Sequence, residues 1–262
     1  MRLSHQRTGT GEPLVLIHGI GSRWQMWEPV MPALSATHDV IALDLPGFGA
    51  SAMPPPGTAP GLPSLTALVT GFLADLGIQS PHVAGNSLGG LVALELARRG
   101  VARSCVALSP AGFASPAETS LARASLWAGV RAARWLEPRA APLLSRPGLR
   151  RLALRQYMEH GERMSVADAV GSVRALAMAP WFDATLAALR GMRFPRDAGI
   201  GVPVTIAWGE HDRLLLARQA HRAALTIPAA RLVTLRGCGH LPTYDDPPQV
   251  ARVLLEGAAA RV

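Results

Sequence analysis

"GNSLGG", residues 85–90, holds the only asparagine of the chain, set directly before a serine enclosed by small residues. The segment closes the β-rich run "HVAGNS" (82–87) and opens the Leu- and Ala-rich run "SLGGLVALELARRG" (87–100). Gly85-Asn86-Ser87-Leu88-Gly89 therefore fits G-x-S-x-G at a strand-to-helix junction, a strained turn that lifts a serine hydroxyl above a sheet edge. Gly85 and Gly89 suit such a turn because backbone packs on backbone there, with no room for a Cβ. The helix that follows presents free N–H groups and a positive dipole end to a developing oxyanion.

Working outward, short apolar runs recur between turn residues: "PLVLIHG" (13–19), "DVIALDLPG" (39–47), "SCVALSP" (104–110), "VPVTIAWG" (202–209) and "ARLVTLRG" (230–237). Their hydrophobicity is continuous rather than alternating, which suggests strands buried on both faces of a parallel sheet. Only one short strand, "RLSHQRT", fits ahead of them. Helical segments lie between, at 64–77 with Ser64 as its cap, at 87–100, and at 246–262 with an acidic start. Strand and helix in alternation mean an α/β fold. From 112 to 196 the strands stop and the chain turns rich in Ala, Arg and Leu, with Trp127, Trp135 and Trp181. There "SVADAVGSVRALAMA" (165–179) opens with a capping box from Ser165 to Asp168 and aligns Val166, Val170, Val173 and Ala177 on one face. The expected division is a core of residues 1–111 and 197–262 with a helical cap of 112–196 inserted into it. "MPPPGTAPGLP" (53–63) reads as a stiff surface loop.

A serine hydroxyl is a weak nucleophile at neutral pH, so a base and an orienting acid should follow it in the chain. Asp212 stands in "GEHD" after the run 202–209, and His240 stands in "GCGH" after the run 230–237. Both, like Ser87, fall at carboxyl ends of strands, where catalytic groups of open α/β sheets gather. Glu210 is the nearest competitor as the acid. "HGIGS" (18–22), directly after another strand, supplies the remaining element: the N–H groups of Ile20 and Leu88 are the candidate oxyanion donors, with Gly19, Gly85, Asn86 and Gly89 in support. His18 is read as a support for that loop, and the six other histidines have no comparable placement.

Composition narrows the class. All 26 basic residues are arginine, against 18 acidic ones, and 13 of the arginines lie within 112–196 beside only 6 acids. The skew reflects compositional bias, yet its concentration in the inserted segment leaves open an anionic substrate, an acidic carrier protein or a membrane surface there. No nucleic-acid recognition module accompanies the charge. Cys105 and Cys238, each placed in a strand region, form no metal-ligand pattern, and no P-loop, GxGxxG or HExxH occurs, so neither metal nor nucleotide cofactor is expected. The N-terminus lacks the apolar segment of a secretory signal, and no apolar run reaches the ~20 residues that span a bilayer. A cytoplasmic protein is expected.

Together "HGIGS", "DLPGFGAS" (44–51), "GNSLGG", "GEHD" and "GCGH" resemble the α/β-hydrolase superfamily, across everything but the insertion. The resemblance implies the Ser87–His240–Asp212 triad and a cap or lid, which such enzymes insert after the sixth strand. A serine nucleophile argues against haloalkane dehalogenases and epoxide hydrolases, which carry aspartate. It implies a small-molecule ester or acyl substrate, with a carboxylic ester hydrolase ranked first. Carbon–carbon hydrolase or perhydrolase chemistry, and a thioesterase acting on a carrier-bound acyl group, stand as alternatives. A non-catalytic receptor on the same fold ranks last.

Overall fold

Seven strands form a single sheet in the computed structural model, which describes residues 1–196 and 199–260. In chain order they are β1 (His5–Thr8), β2 (Glu12–Ile17), β3 (His38–Leu43), β4 (His82–Asn86), β5 (Ser104–Leu108), β6 (Val204–Gly209) and β7 (Arg231–Leu235). The spatial order is β1-β3-β2-β4-β5-β6-β7, parallel throughout except for β1, which runs antiparallel to β3. The order reverses around β2 and β4, so this edge of the sheet is where a crevice opens at the strands' carboxyl ends.

Both faces of the sheet are covered, as the continuous apolar runs require. Val15 and Ile17 of β2 belong to one buried cluster, and their neighbours Leu14 and Leu16 to another. On the first side lie α2 (Leu62–Asp75), α3 (Leu88–Arg98) and α9 (Gln219–Thr226); on the second lie α1 (Met31–Ser35) and α11 (Pro247–Ala259). Fully burying a side chain such as Phe72 or Leu254 contributes roughly 1.5–3 kcal/mol. The edge strand β7 is mostly exposed despite its apolar run, and within it only Leu235 is fully buried. Among the described residues no helix is long and apolar enough to cross a membrane.

Among the described residues five α-helices, α4 (Pro116–Leu136), α5 (Ala140–Leu144), α6 (Pro147–Leu154), α7 (Val166–Met178) and α8 (Phe182–Ala188), lie between β5 and β6; the short α10 (Pro242–Asp245) precedes α11. Counted along this chain the insertion follows the fifth strand, not the sixth, because a single strand precedes β2. Its expected end at 196 borders residues outside the described ones, and the predicted end of the last helix at 261–262 lies outside them.

Local signals explain most boundaries, with some corrections. Gly77 (φ 68°) and Gly100 (φ 71°) take the left-handed conformation that ends α2 and α3, where Ile78 N–H and Val101 N–H return to Leu73 and Leu96 carbonyls. The start of α2 is at Leu62 with Gly61 before it, so Ser64 is inside the helix and caps nothing. At α7, Ser165 Oγ accepts from Asp168 N–H at 3.0 Å, but the hydroxyl donates to the Asp168 carboxylate instead of completing a reciprocal box. The reciprocal capping box occurs at α4, between Ser115 and Glu118. Val166 at the first turn of α7 is 37% exposed, while Ala177 is buried as the pattern predicts. Cys105 and Cys238 are free and buried, and Cys238 lies in the loop after β7 rather than in a strand.

Candidate active site

Ser87 occupies the turn between β4 and α3 with φ 56° and ψ −115°, a left-handed conformation costly for a residue with a Cβ. The surroundings hold it there. Its N–H donates to the Leu108 carbonyl at 2.9 Å, and its own carbonyl accepts from Leu91 and Ala111 N–H. A Cβ on Gly85 would lie 2.1 Å from the Gly89 carbonyl, and one on Gly89 would lie 2.1 Å from the Ile17 carbonyl. These glycines are spacers that let strand, turn and helix share backbone contact.

Asp212 and His240 come together in loops that leave β6 and β7. Asp212 Oδ2 accepts a hydrogen bond from His240 Nδ1 at 2.7 Å, with both side chains almost fully buried. A carboxylate can only accept, so the proton of that bond belongs to Nδ1 and the neutral ring keeps Nε2 as a base. The other Asp212 oxygen accepts from the N–H groups of Leu214 (2.9 Å) and Leu215 (2.8 Å). Asp212 is thus a buried turn-former as well as the partner of His240. Its competitor Glu210 is exposed and instead accepts from Gly237 N–H. Ser87 and His240 share the wall of one cavity. Among the described residues no hydrogen bond joins them, a gap common before substrate binds.

Asn86, expected only as a support of the serine turn, also holds His240, and Asp245 escaped the sequence reading. Asn86 Nδ2 donates to the His240 carbonyl at 2.9 Å and to the Leu108 carbonyl at 3.2 Å. Asp245, buried, accepts from Gly239 N–H at 2.7 Å and from Glu159 and His160 N–H at 3.1 and 2.8 Å. Leu241 N–H adds a bond to the Tyr157 carbonyl at 2.8 Å. The inserted segment therefore clamps the histidine loop directly. The only local hint was an aspartate just after "GCGH", before the prolines of the last helix.

On the opposite wall, His18 is completely buried and stabilises the loop after β2. Its Nδ1 donates to the Gly19 carbonyl at 2.7 Å, and Nε2 accepts from Leu45 N–H at 2.9 Å. Burial pushes the imidazole below its ordinary pKa, outweighing the Asp44 carboxylate 4.0 Å away. Asp44 in turn accepts from Trp24 N–H (2.7 Å) and Ala50 N–H (2.8 Å), tying "HGIGS" to "DLPGFGAS". Ile20 follows this braced loop. Leu88 opens α3, where a first-turn N–H has no intrahelical acceptor.

Two cavities meet at Ser87, Ile20, Leu126 and Leu214. The larger, about 210 Å³, runs beneath α4 and α7 and includes Gly129, Tyr157, Val173 and Tyr244. The smaller, about 60 Å³, includes Leu88, Leu91, Leu186 and Met192. Their lining is chiefly apolar. A surface groove of about 360 Å³, flanked by Arg155 and Arg213, shares Leu214 with both.

The family model described as "Alpha/beta hydrolase family" matches residues 14–253. A pimeloyl-[acyl-carrier protein] methyl ester esterase of Aromatoleum aromaticum is 33% identical over 261 residues, covering 93% of this chain and 96% of that one. A dihydrolipoyllysine-residue acetyltransferase component of the acetoin cleaving system of Cupriavidus necator is 29% identical over 249 residues, 94% of this chain. The chain spans 63% of that protein's length. Among solved structures, a hydrolase from Pseudomonas aeruginosa superposes with a TM-score of 0.76 at 25% identity, covering 98% of this chain and 94% of that one. With the matched model running from β2 through β7 and taking in the serine turn and the loops after β6 and β7, the chain belongs to the alpha/beta hydrolase family.

Proposed function

We propose that the chain hydrolyses carboxylic esters through an acyl-enzyme, with Ser87, His240 and Asp212 as its triad. The observation that carries this reading is the buried Asp212–His240 hydrogen bond of 2.7 Å beside a serine held at positive φ on the same cavity. His240 Nε2 takes the hydroxyl proton as Ser87 Oγ bonds to the ester carbonyl carbon. The carbonyl electron pair moves onto oxygen, where the N–H groups of Ile20 and Leu88 stabilise the charge. Asp212 holds the ring in the tautomer that accepts this proton and stabilises the imidazolium. The oxyanion collapses, the alcohol leaves with the proton from Nε2, and a water repeats the cycle on the acyl-serine to release the acid. Protein groups and water suffice for every step. The helices 112–196 act as the cap, roofing an acyl pocket.

A thioester of a carrier-bound acyl group would follow the same steps with a thiol leaving group. Arg155 and Arg213 favour that alternative at the groove leading to Leu214, although Arg213 is already paired with Glu159 at 2.6 Å. Carbon–carbon hydrolysis or perhydrolysis would use the same serine.

The test is hydrolysis of p-nitrophenyl esters from acetyl to dodecanoyl, with Ser87→Ala alongside. Turnover lost by several orders of magnitude in the variant, with an optimum chain length set by the cavity, is the expected result. Equal rates for both proteins would overturn the role of Ser87. A folded wild type inactive on all these esters would move the reading to a thioester or a carbon–carbon bond. Rates on a carboxylate-bearing ester that fall with salt would assign steering to the arginines.

A further inference from the structure

We infer that the solvent face of α4 docks on an anionic lipid surface, which delivers acyl esters to the cavity beneath the same helix. The inference rests on the ester-hydrolase reading for what is delivered, and on the outer face of α4 alone for the docking.

The 21 residues of α4 span about 30 Å and have two unlike sides. Leu126, Gly129, Ala133 and Leu136 line the larger cavity, and Val130 is fully buried. The other side faces water. Leu121 is 67% exposed, Trp127 52% and Trp135 72%, and Trp127, Arg131 and Trp135 follow one another at four-residue intervals along it. Single exposed apolar residues are ordinary, but two tryptophans about two turns apart on one stripe of one helix make a patch that water does not favour.

Charge selects the occupant. From Leu121 to Leu136 the helix has three arginines and no acidic residue. Arg134 is paired with Asp183 at 3.1 Å, whereas Arg131 lies 4.7 Å above the Trp127 ring and Arg139 is exposed just beyond the helix. A second copy packed on this face by two-fold symmetry would set arginine against arginine. Between the arginines and tryptophans the exposed outer positions are alanines, Ala124 and Ala128, which offer no donor or acceptor to fix a protein partner in register. Tryptophan rings at headgroup depth with arginines on phosphates need no register, so a fluid anionic bilayer matches this face better than an acidic protein does.

The experiment is co-sedimentation of the full chain with vesicles of phosphatidylcholine alone or mixed with phosphatidylglycerol, across a salt series. Trp127→Ala/Trp135→Ala and Arg131→Gln/Arg139→Gln are the variants, each checked by melting temperature. Neither pair lines the cavity, so both should hydrolyse a soluble p-nitrophenyl ester as the wild type does. Binding to the anionic vesicles alone, released by salt and weakened roughly tenfold or more in either variant, is expected. Absence of binding, equal binding to neutral vesicles, or wild-type binding by the tryptophan variant would overturn the inference. So would a tryptophan-dependent dimer in size-exclusion chromatography, or salt-sensitive capture by an immobilised acyl carrier protein when the vesicles fail. Vesicle binding with no ester turnover would leave the docking standing and sink the ester-hydrolase reading instead.

Discussion

Asn86 Nδ2 donates to the backbone carbonyl of His240 across 154 residues of chain, so the residue before Ser87 also anchors the loop that carries His240. The same amide reaches Leu108 at the end of β5, which ties the ends of β4 and β5 to the loop after β7. Replacing Asn86 by Ala removes two buried hydrogen bonds, each worth about 1 kcal/mol. Stability should fall by roughly 2 kcal/mol, and kcat on a soluble ester should fall more than KM changes. Urea melts and steady-state kinetics measure both; an unchanged kcat would mean that Asp212 and the Asp245 and Tyr157 contacts position the histidine without Asn86.

Asp245 gathers three backbone N–H groups, one from the histidine loop and two from the inserted segment. A carboxamide keeps at most two of those acceptances and lacks the charge. Asp245→Asn should therefore cost about 2–3 kcal/mol and lower kcat. If only stability moved and kcat stayed, the clamp would be structural without positioning His240.

His18 makes the fold sensitive to acid. Its folded pKa is depressed by burial below the ordinary 6.5, so the unfolded chain takes up the proton first. The stability from a neutral His18 is complete above pH ~6.5 and is lost as pH falls from there towards its folded pKa, at up to about 1.4 kcal/mol per pH unit. Melting temperatures of the wild type and His18→Asn between neutral and mildly acidic pH test this. The wild type should lose stability more steeply than the variant; parallel curves would exclude His18 as the source.

Tyr157 places its hydroxyl in the buried wall of the larger cavity without a hydrogen-bond partner among the described residues. Burial pushes the phenol up to about 12, so the group is neutral at any working pH. Tyr157→Phe removes a desolvated, unpaired hydroxyl, and the variant should gain about 1 kcal/mol, or roughly 2–4 °C in melting temperature. The contact to Leu241 uses the Tyr157 backbone carbonyl and survives the change. A lower melting temperature would reveal a partner for the hydroxyl, and a raised KM would assign it to substrate.

The sequence by itself determined the order of elements, because short apolar runs bounded by turn residues form the strands and glycine-bounded helical runs end where φ turns positive. It also placed Ser87, Asp212 and His240 after β4, β6 and β7, since each follows its strand within a few residues. The tertiary structure alone decided the rest. The Asn86–His240 tie, the Asp245 clamp, the His18–Asp44 brace and the cavity walls join residues far apart in the chain, and no local period encodes such contacts. Likewise the sequence showed tryptophans and arginines in the insertion without telling which faced water. Only the packing of α4 over the cavity separated its buried stripe from the exposed one, because burial is set by neighbours and not by the helix itself.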